Sequence, residues 1–491
     1  MSGPVNTASS DGVSPAGLST IEQRGIDLVP TDQRYGRPRD LFFLWAGTTT
    51  NIFTVSYGAL LVLLFGMSFG QAFAAILLGN LLAYPLLGLT SLQGPTTGTT
   101  TITISRASFG PNGARINGVL SWLMLLGFEA GGLILVFYAA DALLSKGGVT
   151  VQGASQVVLI VVLGVVQMLL PLFGHRLLMV AQKYATIVFA VAFVILATLI
   201  VPNTQVTGSH ADFYGTTFVS AVALVMVSGG LSWAPSGANF SRYLPADAAP
   251  GRVGFWAAMG GFVPYLLLQT LGAAMATVAV GPEVDLSNPL AIPAVLPAAF
   301  AVPFLVLVMF GLMVQNGTNL YSSGLNLQTA GIPAPRSLIV VTDTALCVII
   351  TIVAVAQSSF YNLLNAFVAS LSIWLAPWVA IYLLDWVLRR GRYDLHGLAN
   401  ERGGPYWGNG GVRWNGVIAL LIGMIGAGLF ANTGYFVGPL TALLSPEHPE
   451  FAPDLGIAAG VVVAGVLYLI MNRGHAASPT DSVQPEGAQD A

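Results

Sequence analysis

Glu129, in the run LGFEAGG, is the one carboxylate near the middle of any long apolar stretch of this sequence; Asp141, Asp343 and Asp385 lie within a turn or two of the ends of theirs. A charge at the centre of a bilayer costs about 2.5–3.5 kcal/mol on insertion scales, so such a group is paired, protonated or turned toward water. No Lys or Arg lies at the same depth to pair with it. Three uses remain: hydrogen-bonding a ligand, carrying a proton, or tying helices together as a protonated acid bonded to a backbone carbonyl. A second group is LMVQNGTNLYSSGL, where Gln315, Asn316, Thr318 and Asn319 gather inside an apolar run. An amide both donates and accepts, which suits a ligand of mixed polarity and equally suits bonds between helices. The third group is SGGLSWAPSGANFSRYLP, Ser228 to Pro245, where Gly229, Gly230, Trp233, Pro235 and flanking serines interrupt what should be a membrane-crossing helix.

The elements that position these residues follow from composition. Of 491 residues 55% are hydrophobic and 8% charged, far from the roughly 25% charge of a soluble domain. The chain is an all-α integral membrane protein. Twelve mostly apolar runs are expected to span, near 41–66, 71–92, 116–144, 154–173, 178–202, 216–237, 254–279, 296–325, 338–357, 361–388, 414–435 and 455–472. Each is long enough to cross about 30 Å of hydrocarbon. With the N-terminus inside, all of the 18 basic residues except Lys146 fall in cytoplasmic segments, as the positive-inside rule asks. Both termini are therefore expected in the cytoplasm, in the plasma (inner) membrane. Residues 1–40 read as a cytosolic tail without signal-peptide features, and 474–491 as a disordered one.

No phosphate-binding loop, zinc motif or paired-cysteine spacing is present, and Cys347, the single cysteine, can form no intrachain disulfide. No span holds two histidines or two carboxylates a turn apart, which argues against a membrane enzyme. Interrupted helices suit a solute carrier, in which freed backbone and small polar groups line a cavity. The first span, WAGTTTNIFTVSYGALL, and the sixth are both interrupted. Their five-helix spacing predicts two inverted five-helix repeats with discontinuous helices 1 and 6 (41–202 and 203–395), then two peripheral helices within 396–473. Small residues that merely let helices pack explain Gly229 and Gly230 but not Pro235 with its Ser and Asn neighbours.

Six stretches in order carry a resemblance: IEQRGIDLVP, LLGN (77–80), GPTTGTTTITISRASFG (94–110), SWAPSGANFSRYLP (232–245), NLYSSGLNLQTAGI (319–332) and WLAPWVAIYLLDW (374–386) followed by RRGRY. Over roughly residues 21–395 the chain resembles the purine-cytosine permease branch of the nucleobase:cation symporters. The resemblance implies an amino-acid-transporter-like fold and a small-molecule nucleobase carried with a proton or sodium ion. It implies no enzyme activity, cofactor, structural metal or nucleic-acid partner, and leaves the oligomeric state open. Related carriers for a hydantoin, allantoin or a vitamin-like heterocycle, or a receptor or channel on the same scaffold, are the alternatives.

The implied substrate site comprises Trp233, Ser232, Glu129, Asn316, Phe53, Phe128, Gly230 and Asn319. Trp233 offers a flat ring for stacking on a base, a contact worth about 1–3 kcal/mol. Phe53 aligns with an aromatic beside the first break, and Phe128 stands where the family more often has Trp. Glu129 and Asn316 would read the polar edge of the base. The coupling site departs from sodium-dependent relatives: where those place adjacent hydroxyl residues, this chain has Val314 and Gln315. Proton coupling through Glu129 is thus favoured, with sodium the alternative. Asn239 replaces a usual Asp near Arg242 and is assigned to the cytoplasmic end, not to substrate.

Overall fold

A computed structural model describes residues 24–205, 215–278, 298–356, 366–400 and 402–473. Most of the expected N-terminal tail and the whole tail from Gly474 lie outside them. Among the described residues the architecture is all helical, with only two isolated β-bridges. The principal helices are α1 (Asp40–Thr49), α2 (Ile52–Leu63), α3 (Phe69–Ser91), α4 (Arg106–Lys146), α5 (Ala154–Leu172), α6 (His175–Ile200) and α7 (Thr217–Met226). They continue with α8 (Pro250–Ala276), α9 (Ala298–Thr329), α10 (Arg336–Val355), α11 (Ser372–Leu388), α12 (Trp414–Leu429) and α13 (Gly456–Met471). Among the described residues nine helical stretches are long and apolar enough to cross a bilayer, and α2, α12 and α13 are shorter apolar helices.

Burial sorts the helices. The stretch Thr217–Ser241 has 78% of its apolar window buried inside the protein, against 22% for His175–Asn203, so the interrupted helix is central and α6 faces lipid. Its exposed Val188, Val191, Val194 and Ile195 are what a lipid-facing surface requires. The long α4 packs along α9, α8 packs along α2 and α3, and α11, α12 and α13 form a group of their own. Within α4, Gly110 leaves helical geometry (φ 75°, ψ 162°), so a short helical stretch from Arg106 meets the apolar helix at a kink.

Both sequence-marked interruptions are real, and each is satisfied locally. At the first, Thr50 leaves helical geometry and Asn51 is extended (φ −153°, ψ 175°), its side-chain oxygen accepting the amides of Phe53 (2.9 Å) and Thr54 (3.4 Å) to cap α2. The Asn51 amide donates to Thr48 O at 3.1 Å and the Thr54 hydroxyl to Thr49 O at 2.6 Å. The run TTTN therefore supplies hydrogen bonds that lipid cannot. In the second, α7 widens at Val227–Leu231 into a π turn with Gly229 non-helical (φ −118°, ψ −117°), followed by short helical pieces Ala234–Ser236 and Gly237–Ser241. Tyr265 Oη donates to Ser228 O at 2.5 Å and Ser232 Oγ to Gly229 O at 2.9 Å.

Candidate functional site

The two interruptions meet at a cavity of about 320 Å³ lined by Phe53 and Tyr57 of α2, Leu125 and Phe128 of α4, Ser228, Ser232 and Trp233 of the second break, Tyr265 of α8, and Gln315 and Asn319 of α9. Aromatic rings dominate the wall. Phe53 and Tyr57 stack at 6.4 Å with 20° between their planes, and Phe128 meets Phe367 edge-on at 5.7 Å. The Trp233 ring abuts Trp45, which in turn abuts Phe240 at 5.5 Å. Phe240 also lines a wider cavity of about 650 Å³ with Tyr35, Asp40, His175, Lys183 and Tyr243. Three rings thus run from the wall of one cavity to the wall of the other.

Polar groups in the wall are sparse and incompletely satisfied by protein. Tyr57 Oη, Gln315 Oε1 and Asn319 Oδ1 are buried without a hydrogen-bond partner among the described residues. A buried polar atom left in this condition costs about 1–3 kcal/mol. Two amide carbonyl oxygens and a phenol beside flat rings are matched by a planar ligand that carries N–H groups at its edge.

Of the residues singled out from sequence, Phe53, Phe128, Ser232, Trp233 and Asn319 line this cavity together. Asn316 stands one step behind: its Oδ1 accepts from Asn319 Nδ2 at 3.3 Å, and its own amide donates to Glu129 O (3.0 Å) and Gln167 Oε1 (2.9 Å). Gly132 permits that approach, because a Cβ there would meet the Asn316 amide at 2.7 Å. The Glu129 carboxyl is fully buried beyond the wall, its Oε2 3.5 Å from Cys347 Sγ of α10. Gly230 is against α3, where a Cβ would lie 2.5 Å from Ala83 C and O. Asn239 is outside the cavity and accepts the Thr101 amide at 3.1 Å. Tyr57, Tyr265 and Leu125 also line the cavity and had carried no expectation; Ser228 had been noted only as the start of the interrupted stretch and Gln315 among the clustered amides.

The family described as permeases for cytosine/purines, uracil, thiamine and allantoin matches residues 28–445. The chain belongs to this family. It is a multi-pass membrane permease. It is 29% identical over 464 residues to a putative purine-cytosine permease, YxlA, of Bacillus subtilis, covering 92% of this chain and 96% of that protein. It is 23% identical over 471 residues to the purine-cytosine permease FCY21 of Saccharomyces cerevisiae, covering 93% and 86% respectively. Among solved structures, the nucleobase-cation-symport-1 family transporter Mhp1, closed with bromovinylhydantoin bound, superposes with a TM-score of 0.75 at 19% identity over 95% of this chain and 98% of that one. A sodium-coupled sialic acid symporter superposes at 0.58 with 11% identity, covering 89% of this chain and 90% of that one. This chain thus shares its fold with Mhp1.

Proposed function

We propose that this permease is a secondary active importer of nucleobases, cytosine and purines, moving each base with a proton by alternating access in the plasma (inner) membrane. Twelve spans, the inverted repeat and cytoplasmic termini belong to this reading, which the two interruptions and the distribution of basic residues support. The observation that carries the substrate class is the cavity between the interruptions, where Phe53, Phe128 and Trp233 surround the free carbonyl oxygens of Gln315 and Asn319. A base slides between the rings and donates its edge N–H groups to those oxygens. The relatives named purine-cytosine permeases support the same class.

A proton is favoured over sodium by the groups where α1, α6 and α9 meet. Gln182 Nε2 donates to Val314 O at 3.0 Å and to Thr318 Oγ1 at 2.7 Å, and Thr318 Oγ1 pairs with Thr48 Oγ1 at 3.0 Å. An amide N–H directed at those oxygens competes with a metal ion that needs them as ligands. Another heterocycle, such as a hydantoin or allantoin, is the second reading, favoured by the breadth of the family description. Proteoliposome uptake of labelled cytosine, adenine, hypoxanthine and uracil, with allantoin and hydantoin as competitors and with or without a proton gradient, separates these. Saturable uptake of bases that collapses with the gradient is expected. No uptake of any labelled base, with labelled allantoin or hydantoin taken up instead, overturns the nucleobase reading, and unsaturable flux indicates a channel.

A further inference from the structure

Asp343 lies two turns into α10 from Arg336, yet tertiary packing buries it completely. Its Oδ1 accepts the Trp122 indole N–H at 2.7 Å, and its Oδ2 accepts the Ser323 hydroxyl. Cys347, one turn beyond Asp343 on α10, is 3.5 Å from Glu129 Oε2, so the two carboxyl groups approach one patch of α10 and are close enough to interact electrostatically. The Glu129 Oε2 neighbour is the Cys347 thiol, and Glu129 Oε1, fully buried, has no partner among the described residues.

Among the described residues neither carboxyl group has an ion-pair partner. From α4 come Glu129 and the Trp122 N–H, from α10 Asp343 and Cys347, and from α9 the Ser323 hydroxyl. Tyr321 is the one titratable residue of α9, and α5, which packs on α10, contributes none. The nearest cation along α10 is Arg336, seven positions away, bonded to Pro171 O and lying over the Tyr321 ring at 4.4 Å. Two ionised carboxylates cannot share such a place. Asp343, with two donors aimed at it, is dressed as an acceptor; a proton on Glu129 removes the second charge.

We propose that Glu129 and Asp343 form one proton-holding dyad, and that this dyad, set behind the substrate cavity, is where the co-transported proton rides. The proposal rests on the proton-coupled reading above and deepens it. The link to the cavity is α9: Asn319 lines the cavity, Ser323 follows four residues later on the same face, and Ser323 holds Asp343. A base that moves Asn319 moves Ser323, so occupancy of the cavity is felt by the proton one turn farther along the same face of α9. The proton enters onto Glu129 from the outer solution and leaves to the cytoplasm when α9 shifts; no other group is consumed.

The test compares two modes of cytosine movement in proteoliposomes holding the full chain, Glu129→Gln or Asp343→Asn. One mode is accumulation driven by an inward gradient of about one pH unit, which supports at most about tenfold accumulation for one proton per base. The other is exchange of labelled for unlabelled cytosine at equal pH. Each variant is expected to fall to about onefold accumulation while exchange persists. Accumulation unchanged in either variant overturns the dyad, as does loss of exchange together with accumulation in a variant that is folded by gel filtration. If a neutral variant is not recovered folded, Glu129→Asp and Asp343→Glu are used instead: gradient-driven accumulation persists with its pH midpoint moved, and an unmoved midpoint overturns the proposal. If the unaltered protein moves none of the bases, the substrate reading has failed and the dyad is read separately by infrared difference spectroscopy. A protonated-carboxyl band present in the unaltered protein, lost in Glu129→Gln and shifted in Asp343→Asn upholds it; a band unmoved by Asp343→Asn overturns it.

Discussion

The Trp233 indole meets the Trp45 indole edge-on, 5.4 Å between centroids and 65° between planes. A ring on the cavity wall is therefore oriented by a ring of α1, just before the other interruption. Trp233→Ala should weaken base binding about 5- to 150-fold, the range that a stacking contact of 1–3 kcal/mol spans, and Trp233→Phe should recover part of it. Trp45→Ala should also weaken binding, though less, because it loosens Trp233 and touches no ligand. Equilibrium binding of labelled cytosine to purified protein checks both. Unchanged affinity in a folded Trp233→Ala protein removes the stacking role.

Asn319 and Asn316 separate in the same way into a contact and its support. Asn319→Ala removes an amide from the cavity wall, so it should change the ranking among cytosine, adenine, hypoxanthine and uracil. Its effect should be about 1–3 kcal/mol for the base that uses it. Asn316→Ala removes the acceptor for Asn319 Nδ2 and the donor to Glu129 O and Gln167 Oε1. It should lower affinity for every base without reordering them. A competition panel on both variants decides, and a reordered panel for Asn316→Ala would place that side chain in direct contact.

Much of this layout is legible in the sequence because breaking a helix in lipid demands special residues. Thr48 to Asn51 and Ser228 to Pro235 stand out against apolar neighbours, and the aromatic and amide residues beside them mark five cavity positions. Azimuth is what sequence hides. Glu129 has the depth expected of a site residue, but it is one residue, about 100° of helix, beyond the cavity-lining Phe128, and so it turns to α10. Its partner Asp343 is close to the end of its own helix, where an acid looks like an interfacial residue, and only packing reveals the pair. Tyr57 and Tyr265 come from spans whose tyrosines resemble ordinary core, while Gly230 is required by the approach of α3 and not by ligand.

That approach makes Gly230→Ala a packing variant. Its Cβ would meet Ala83 C and O at 2.5 Å and Tyr84 N at 2.6 Å, all backbone atoms that cannot swing aside. Overpacking of this kind costs about 1–3 kcal/mol. The expected outcome is a lower unfolding temperature in detergent with the order of base preferences retained. A changed order with unchanged stability would instead make Gly230 part of the ligand surface.

Outside the membrane-spanning segments, Asp454 accepts the Gly456 amide at 2.9 Å at the start of α13. Burial pushes its carboxyl up from the ordinary 3.8 to about 6, against the pull of backbone hydrogen bonds at Gly456 and Asn432. Between those values the native state holds more protons than the unfolded chain, so this group's contribution to stability is fully present below about pH 4 and is lost as pH rises through about 6. The change is at most about 3 kcal/mol. Asp454→Asn should flatten this part of the pH dependence of thermal unfolding. An equally steep profile in the variant assigns the dependence elsewhere.

Gln182 binds three helices into one unit: it belongs to α6, its amide holds Val314 O and Thr318 Oγ1 of α9, and Thr318 holds Thr48 of α1. All of these side chains are buried, so their hydrogen bonds compete with no water. Gln182→Ala removes two bonds worth about 1 kcal/mol each and should slow uptake, because α1 and α9 no longer shift together. In the unaltered protein the amide hydrogens face the oxygens that a cation would use, so replacing sodium by choline should leave the initial uptake rate of cytosine unchanged. In Gln182→Glu the position gains an acceptor, and sodium should then alter the rate. Initial rates for the three proteins in both salts test the assignment, and sodium stimulation of the unaltered protein would refute it.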